Sequence, residues 1–142
     1  MKNLIFKTVM GITTTLALAM PLSAMANDDL KAIMKQTGKD YKALGMQISN
    51  SSQNASSIAL TSDISAQLKK AHELVPDTVD ELSGAQRDTA LTEYQNDIND
   101  VMTLVDQITA ALQAGDNSTA AAILSKVSEQ KKSDHDKFNP QP

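Results

Sequence analysis

The sequence predicts an all-α fold, specifically an antiparallel, up-down-up-down four-helix bundle. Three observations carry this. Aromatic residues make up only 3% of the chain and β-branched runs are few, while Ala, Gln, Asp, Lys and Leu are abundant, a composition that favours helix. Apolar residues recur in alternating steps of three and four along separate segments, the period of a helix with one buried face. Polar or Gly/Pro-containing stretches divide those segments, and connections that short make consecutive helices antiparallel neighbours.

The opening stretch, MKNLIFKTVMGITTTLALAMPLSAMA, is set apart from the bundle. Lys2 and Lys7 precede an apolar run that ends in Ala24-Met25-Ala26, the layout of a secretory signal cleaved after Ala26. The run is short and interrupted by threonines, so a membrane span is not expected from it. Domain organisation then follows: residues 1–26 are a signal peptide and residues 27–142 form one helical domain. Removing 26 residues from 142 leaves 116, enough for a single core.

The first helix is expected from Asp28 to about Ser49, with Leu30, Met34, Thr37, Tyr41, Leu44 and Ile48 on one stripe. Asp28 and Asp29 suit its positive N-terminal end. The polar run SNSSQNASS reads as a loop. A second helix, roughly Ser57 to Val75, presents Leu60, Ile64, Leu68, Ala71 and Val75, and Pro76 ends it. The stretch PDTVDELSGAQRD is the longest connection, with room for a short helical turn. The third helix has the most regular pattern, through Leu91, Tyr94, Ile98, Val101, Val105, Ile108 and Leu112, and Ala114-Gly115 stops it. Asp116-Asn117-Ser118 offers a cap for the fourth helix, about Ser118 to Phe138, with Ala120, Ile123, Leu124 and Val127 facing inward.

Charge and cysteine content narrow the chemistry. Without Lys2 and Lys7, the thirteen Lys and Arg fall to eleven against seventeen Asp and Glu, a net charge of −6. That excess opposes nucleic-acid binding, which needs a basic footprint. The absence of cysteine excludes disulfides, thiolate catalysis, Cys-ligated zinc, iron–sulfur clusters and the C-x-x-C-H attachment of a covalent haem. No nucleophile elbow, paired-carboxylate site or phosphate loop is present, so no enzyme is expected.

One pair of residues stands out. In an up-down-up-down bundle the first and fourth helices are neighbours, and Met34, one turn into the first, shares a layer with His135, one turn from the end of the fourth. At about 100° per residue, Met34 lies about 40° from Leu30, in the middle of its stripe. His135 lies about 20° from Leu124 but about 80° from Val127, on the shoulder of its face, with Lys131 and Asp134 more central. A core methionine is ordinarily a gap-filler, and a histidine near a helix C-terminus is ordinarily solvated and stabilised by the dipole. Together, however, a thioether and an imidazole at one level suit haem iron or copper. These readings stand side by side on geometry alone. His72, the other histidine, lies about 80° from Ile64 and about 120° from Leu60, and reads as a surface residue.

The chain beyond residue 26 resembles the soluble periplasmic cytochrome b562 family. The resemblance rests on DDLKAIMKQTGKDYKAL at the start, VDQITAALQAGD at the end of the third helix and KKSDHDKF at the close, in that order and with a matching spacing from Gly115 to His135. It implies a four-helix bundle holding one non-covalent haem b per chain, with Met34 and His135 as the axial iron ligands. Lys131 stands where the family commonly has an arginine beside the haem edge. The third helix carries Tyr94, Ile98 and Val101 but none of the phenylalanines that the family packs against the porphyrin. The implied function is periplasmic electron transfer by a monomer with redox partners and no membrane span. Two other classes compete with it: a His/Met copper or haem-binding carrier, and a structural bundle without a cofactor.

Overall fold

The computed structural model describes residues 22–138, with side chains from 27 to 137. Residues 1–21, which hold most of the expected signal segment, lie outside them, as do residues 139–142. Four long helices form the bundle: α1 (Leu22–Gln47), α2 (Asn54–His72), α4 (Gly84–Gln113) and α5 (Asn117–Phe138). A single helical turn, α3 (Asp77–Asp80), lies between α2 and α4. No strand occurs among the described residues. Consecutive long helices pack side by side, and the α1/α5 seam closes the bundle, with Leu124 Cδ2 lying 3.8 Å from the position of a Cβ on Gly45. This is the antiparallel four-helix bundle that the periodicity predicts.

The core follows the expected stripes with exceptions: Met34 is exposed, and Leu60, Val75, Leu91 and Ile123 are only half-buried. On α1, Leu30, Thr37, Tyr41 and Leu44 are buried, as is Ile48 just past its end; on α4, Tyr94, Ile98, Val101, Val105, Ile108 and Leu112 are. On α2 the buried positions are Ser57, Thr61, Ile64, Leu68 and Ala71, while Leu60 is only half-buried. Two hydroxyl residues thus occupy places that hydropathy assigns to a leucine on the flank. They can be buried because their hydrogen bonds close inside the bundle. Thr61 donates to the Ile58 carbonyl at 2.8 Å and accepts from Thr109 of α4 at 2.8 Å; Ser57 accepts from Gln47 of α1 at 3.1 Å.

Helix ends differ from the sequence expectation for local reasons. α1 starts at Leu22 rather than Asp28, because Leu, Ala and Met are good helix formers and nothing between residues 22 and 28 breaks the helix. α1 therefore runs across the expected junction at Ala26, and the two aspartates sit inside the helix. α2 stops at His72, short of Val75, since the residue before a proline is biased away from the helical region. The expected loop SNSSQNASS contains a 3₁₀ turn, Ser51–Gln53, where the Asn50 side chain accepts from the Ser52 amide at 3.1 Å. α4 begins at Gly84, seven residues before Leu91, within the stretch read as connection. α3 confirms the helical turn allowed there; Val79 anchors it, being 1% exposed, and Asp80 pairs with Arg87 at 3.3 Å.

The α4–α5 corner follows the sequence closely. Gly115 adopts φ 74°, its amide bonds the Leu112 carbonyl at 3.1 Å, and the Asp116 amide bonds the Ala111 carbonyl at 2.8 Å. These are the two bonds of a Schellman stop. A Cβ on Gly115 would meet nothing within 4 Å, so Gly115→Ala should cost only the left-handed strain, about 1 kcal/mol, measurable by denaturant titration. Asp116 then caps α5, accepting from the Thr119 amide at 3.0 Å and the Thr119 hydroxyl at 2.6 Å. The Thr119 side-chain bond, with its amide bond second, holds the Asp116 pKa below the ordinary aspartate range. A depressed folded-state pKa stabilises above the unfolded value and loses that effect as pH falls through the folded one. Asp116→Ala should therefore melt lower than the parent at neutral pH, with the difference vanishing in acid below that range. At the same end, Asn54 and Asn117 bond each other and reach across to the Leu112 and Ile48 carbonyls, tying the α1, α2, α4 and α5 termini together.

Candidate functional site

The other end of the bundle is open. Toward it, the inward face of α5 changes from Ala120, Leu124 and Val127 to Lys131, Asp134 and His135. These side chains do not fill the space opposite α1, and a cavity of about 400 Å³ lies there. Its size falls in the range of small-molecule and cofactor sites. α1 supplies Leu30, Met34, Thr37 and Tyr41, at steps of four, three and four, so one helical stripe forms one wall. Leu68 of α2 and Ile98 and Val101 of α4 make the apolar floor. Pro76, which precedes α3, and Asp77 and Thr78 of α3 close the end, where Asp77 pairs with Lys31 of α1 at 3.4 Å.

Three residues singled out in the sequence meet at this cavity: Met34 from α1, and Lys131 and His135 from α5. Met34 is on the core stripe yet is 37% exposed, because the cavity rather than another helix lies in front of it. His135 is exposed at the rim, as its shoulder position predicts. Lys131 is half-buried, its ammonium 4.2 Å from the centre of the Tyr41 ring, and loss of hydration pulls its pKa down. His72 is not part of the site; it lies on the α2 flank, with Nε2 3.4 Å from the Asn99 amide nitrogen.

The rim is polar and mostly acidic. Burial pushes the Asp134 pKa up, and Asp97 of α4 adds to this, while a 2.9 Å bond from Gln130 opposes it. Lys137 bridges Glu93 at 3.0 Å and Asp97 at 3.4 Å, and the bond to Glu93 raises its pKa. Two tyrosines face the cavity. Tyr94 donates to the Ala71 carbonyl at 2.8 Å, and burial pushes its pKa up to about 12. The Tyr41 pKa is also raised by burial, but its buried hydroxyl has no hydrogen-bond partner among the described residues.

The sequence reading missed two contributors. Tyr41 reads as core because it shares the stripe with Leu44; the available signal was that it stands seven residues from Met34, on the same face. Asp97 carries no mark of its own, since only the packing of α4 against α5 brings it to the rim.

Among the described residues, no three His, Cys, Asp or Glu side chains gather as a metal cage. No described helix is long and apolar enough to cross a membrane. The sequence model of the cytochrome b562 family matches residues 29–139, which takes in every residue of α2 to α5 and most of α1. Comparison with curated proteins and with solved structures found no further match. With an all-α four-helix bundle, an apolar cavity at one end and a family match over most of its length, the chain belongs to the cytochrome b562 family, a family of b-type haem-binding electron carriers.

Proposed function

We propose that this protein is a periplasmic electron carrier that holds one non-covalent haem b between Met34 and His135. The observation that carries the reading is that these two residues, about a hundred positions apart in sequence, line one cavity from neighbouring helices. The residues present fit the group. The cavity floor is aliphatic, the donor set is one soft and one imidazole ligand, and a buried phenol hydroxyl at the wall still wants a partner.

Haem bound there would supply a one-electron ferric/ferrous couple. Met34 would favour the softer ferrous iron through its thioether and so raise the potential, whereas the His135 imidazole suits both states. Met34 and His135 would both hold the group, and a haem held by two protein side chains would favour electron transfer over catalysis on a bound substrate. Lys131 would set a positive charge at the haem edge among the acidic groups of the rim. Leu30, Leu68, Ile98 and Val101 would keep water from the macrocycle. The chain works as a monomer with other redox proteins as partners, and the signal-like opening of the sequence supports export to the periplasm.

Haem titrated into the purified protein should saturate at one per chain. The melting transition should rise with free haem, by about 2.7 kcal/mol of stabilisation at a hundredfold excess over Kd. A melt indifferent to haem would favour the cofactor-free bundle, and tight Cu(I) binding without a stable haem complex would favour the copper carrier.

A further inference from the structure

Tyr41 is a costly residue if it is only part of the core. It is 8% exposed, lines the cavity, and carries the one buried side-chain polar atom among the described residues that has no hydrogen-bond partner. A phenylalanine would fill the same space without a sealed, unpaired hydroxyl. Tyr94 shows the usual solution at the same cavity, with its hydroxyl on the Ala71 carbonyl. A second observation concerns the ring. Its face is covered by the Lys131 ammonium at 4.2 Å, and no carboxylate lies within ion-pair distance of that ammonium among the described residues. Lysine on a flexible stem, held by a cation–π contact alone, is easily displaced. Tyr41 also shares the helix face of Met34, two turns or about 10.5 Å along α1.

We infer that Tyr41 is a ligand-contact residue of this cavity: on loading, the plane of the ligand replaces Lys131 on the Tyr41 ring, and the Tyr41 hydroxyl gains the hydrogen-bond partner it lacks. The inference rests on the reading of the cavity as a site for a haem-class ligand, and it adds a contact that does not depend on iron. Tyr41 then has two states, one in which its ring holds a lysine and its hydroxyl is sealed, and one in which both face a bound tetrapyrrole.

The test uses metal-free protoporphyrin IX, which cannot be ligated by Met34 or His135, with the full chain and the variants Tyr41→Phe and Tyr41→Leu. Tyr41→Leu should bind the porphyrin about three- to tenfold more weakly, the loss of an aromatic contact. Tyr41→Phe should melt about 4 °C higher than the parent without ligand, because the sealed hydroxyl is gone, and should gain less than the parent when porphyrin is added. Porphyrin binding unchanged in both variants would overturn the inference, as would a ligand-free Tyr41→Phe that melts at or below the parent. Should Tyr41→Leu not fold, the two Tyr41→Phe melts decide alone. If Tyr41 behaves as described while Met34→Ala and His135→Ala leave the spectrum of the iron complex unchanged, the axial assignment fails and this contact stands. A parent chain that binds neither haem nor porphyrin overturns both.

Discussion

His135→Ala is expected to abolish the low-spin spectrum of the haem-loaded protein and to weaken haem binding by on the order of a hundredfold. Replacing groups that merely orient a metal ligand typically costs about 10- to 100-fold, and loss of the ligand itself should cost at least as much. Nothing else described at the rim can substitute: Asp134 and Lys131 line the cavity, but neither offers an imidazole. His72, on the α2 flank, does not line it. Met34→Ala should behave differently. The imidazole remains, so binding falls less, but the ferrous form loses its thioether and the potential drops. Absorption spectra of both redox states and a potentiometric titration separate the two variants. Equal and small effects in both would mean that neither side chain reaches the iron. Lys131→Ala serves as the control, with the low-spin signature intact, because a rim charge shifts energies without filling a coordination position.

The largest effect on stability is expected away from the cavity, at Ile108→Ala, with a loss of about 2–5 kcal/mol in denaturant unfolding. Ile108 is fully buried in the closed half of the bundle, where α4 packs against the other helices and a void could not drain to solvent. Leu60→Ala offers the internal comparison. Leu60 removes a similar volume but is only half-buried on the α2 flank, so its cost should be under half that of Ile108. Equal costs would contradict the stripe on α2 that buries Thr61 in place of Leu60.

The contrast between these residues shows what could be read before the fold was known. The stripes on α1 and α4 are legible because large apolar side chains recur at the helical period, and on α4 each step from Tyr94 to Leu112 ends in a buried residue. The α2 stripe is less legible, since Ser57 and Thr61 are buried through hydrogen bonds to other elements, which a hydropathy pattern does not register. Helix starts are the least legible. Residues such as those before Asp28 and Leu91 have adequate propensity and no breaker, so the helix extends beyond its apolar face. At the site, Met34, Lys131 and His135 could be brought together from topology alone, because antiparallel neighbours put the start of one helix beside the end of the other. Tyr41 shares the face of Met34 and could be placed near the site in the same way, but its missing hydrogen bond could not be foreseen, because that exists only once the packing is known. Nor could the gap itself, which arises where α5 stops supplying apolar side chains opposite α1.

The most direct test of the central claim is resonance Raman spectroscopy of the protein loaded with one equivalent of haem, in the ferrous state at neutral pH. Ligation by Met34 and His135 predicts six-coordinate, low-spin iron, with the pattern lost on substitution of either residue. A five-coordinate, high-spin spectrum in the unsubstituted protein, or a low-spin spectrum that survives both Met34→Ala and His135→Ala, would contradict it.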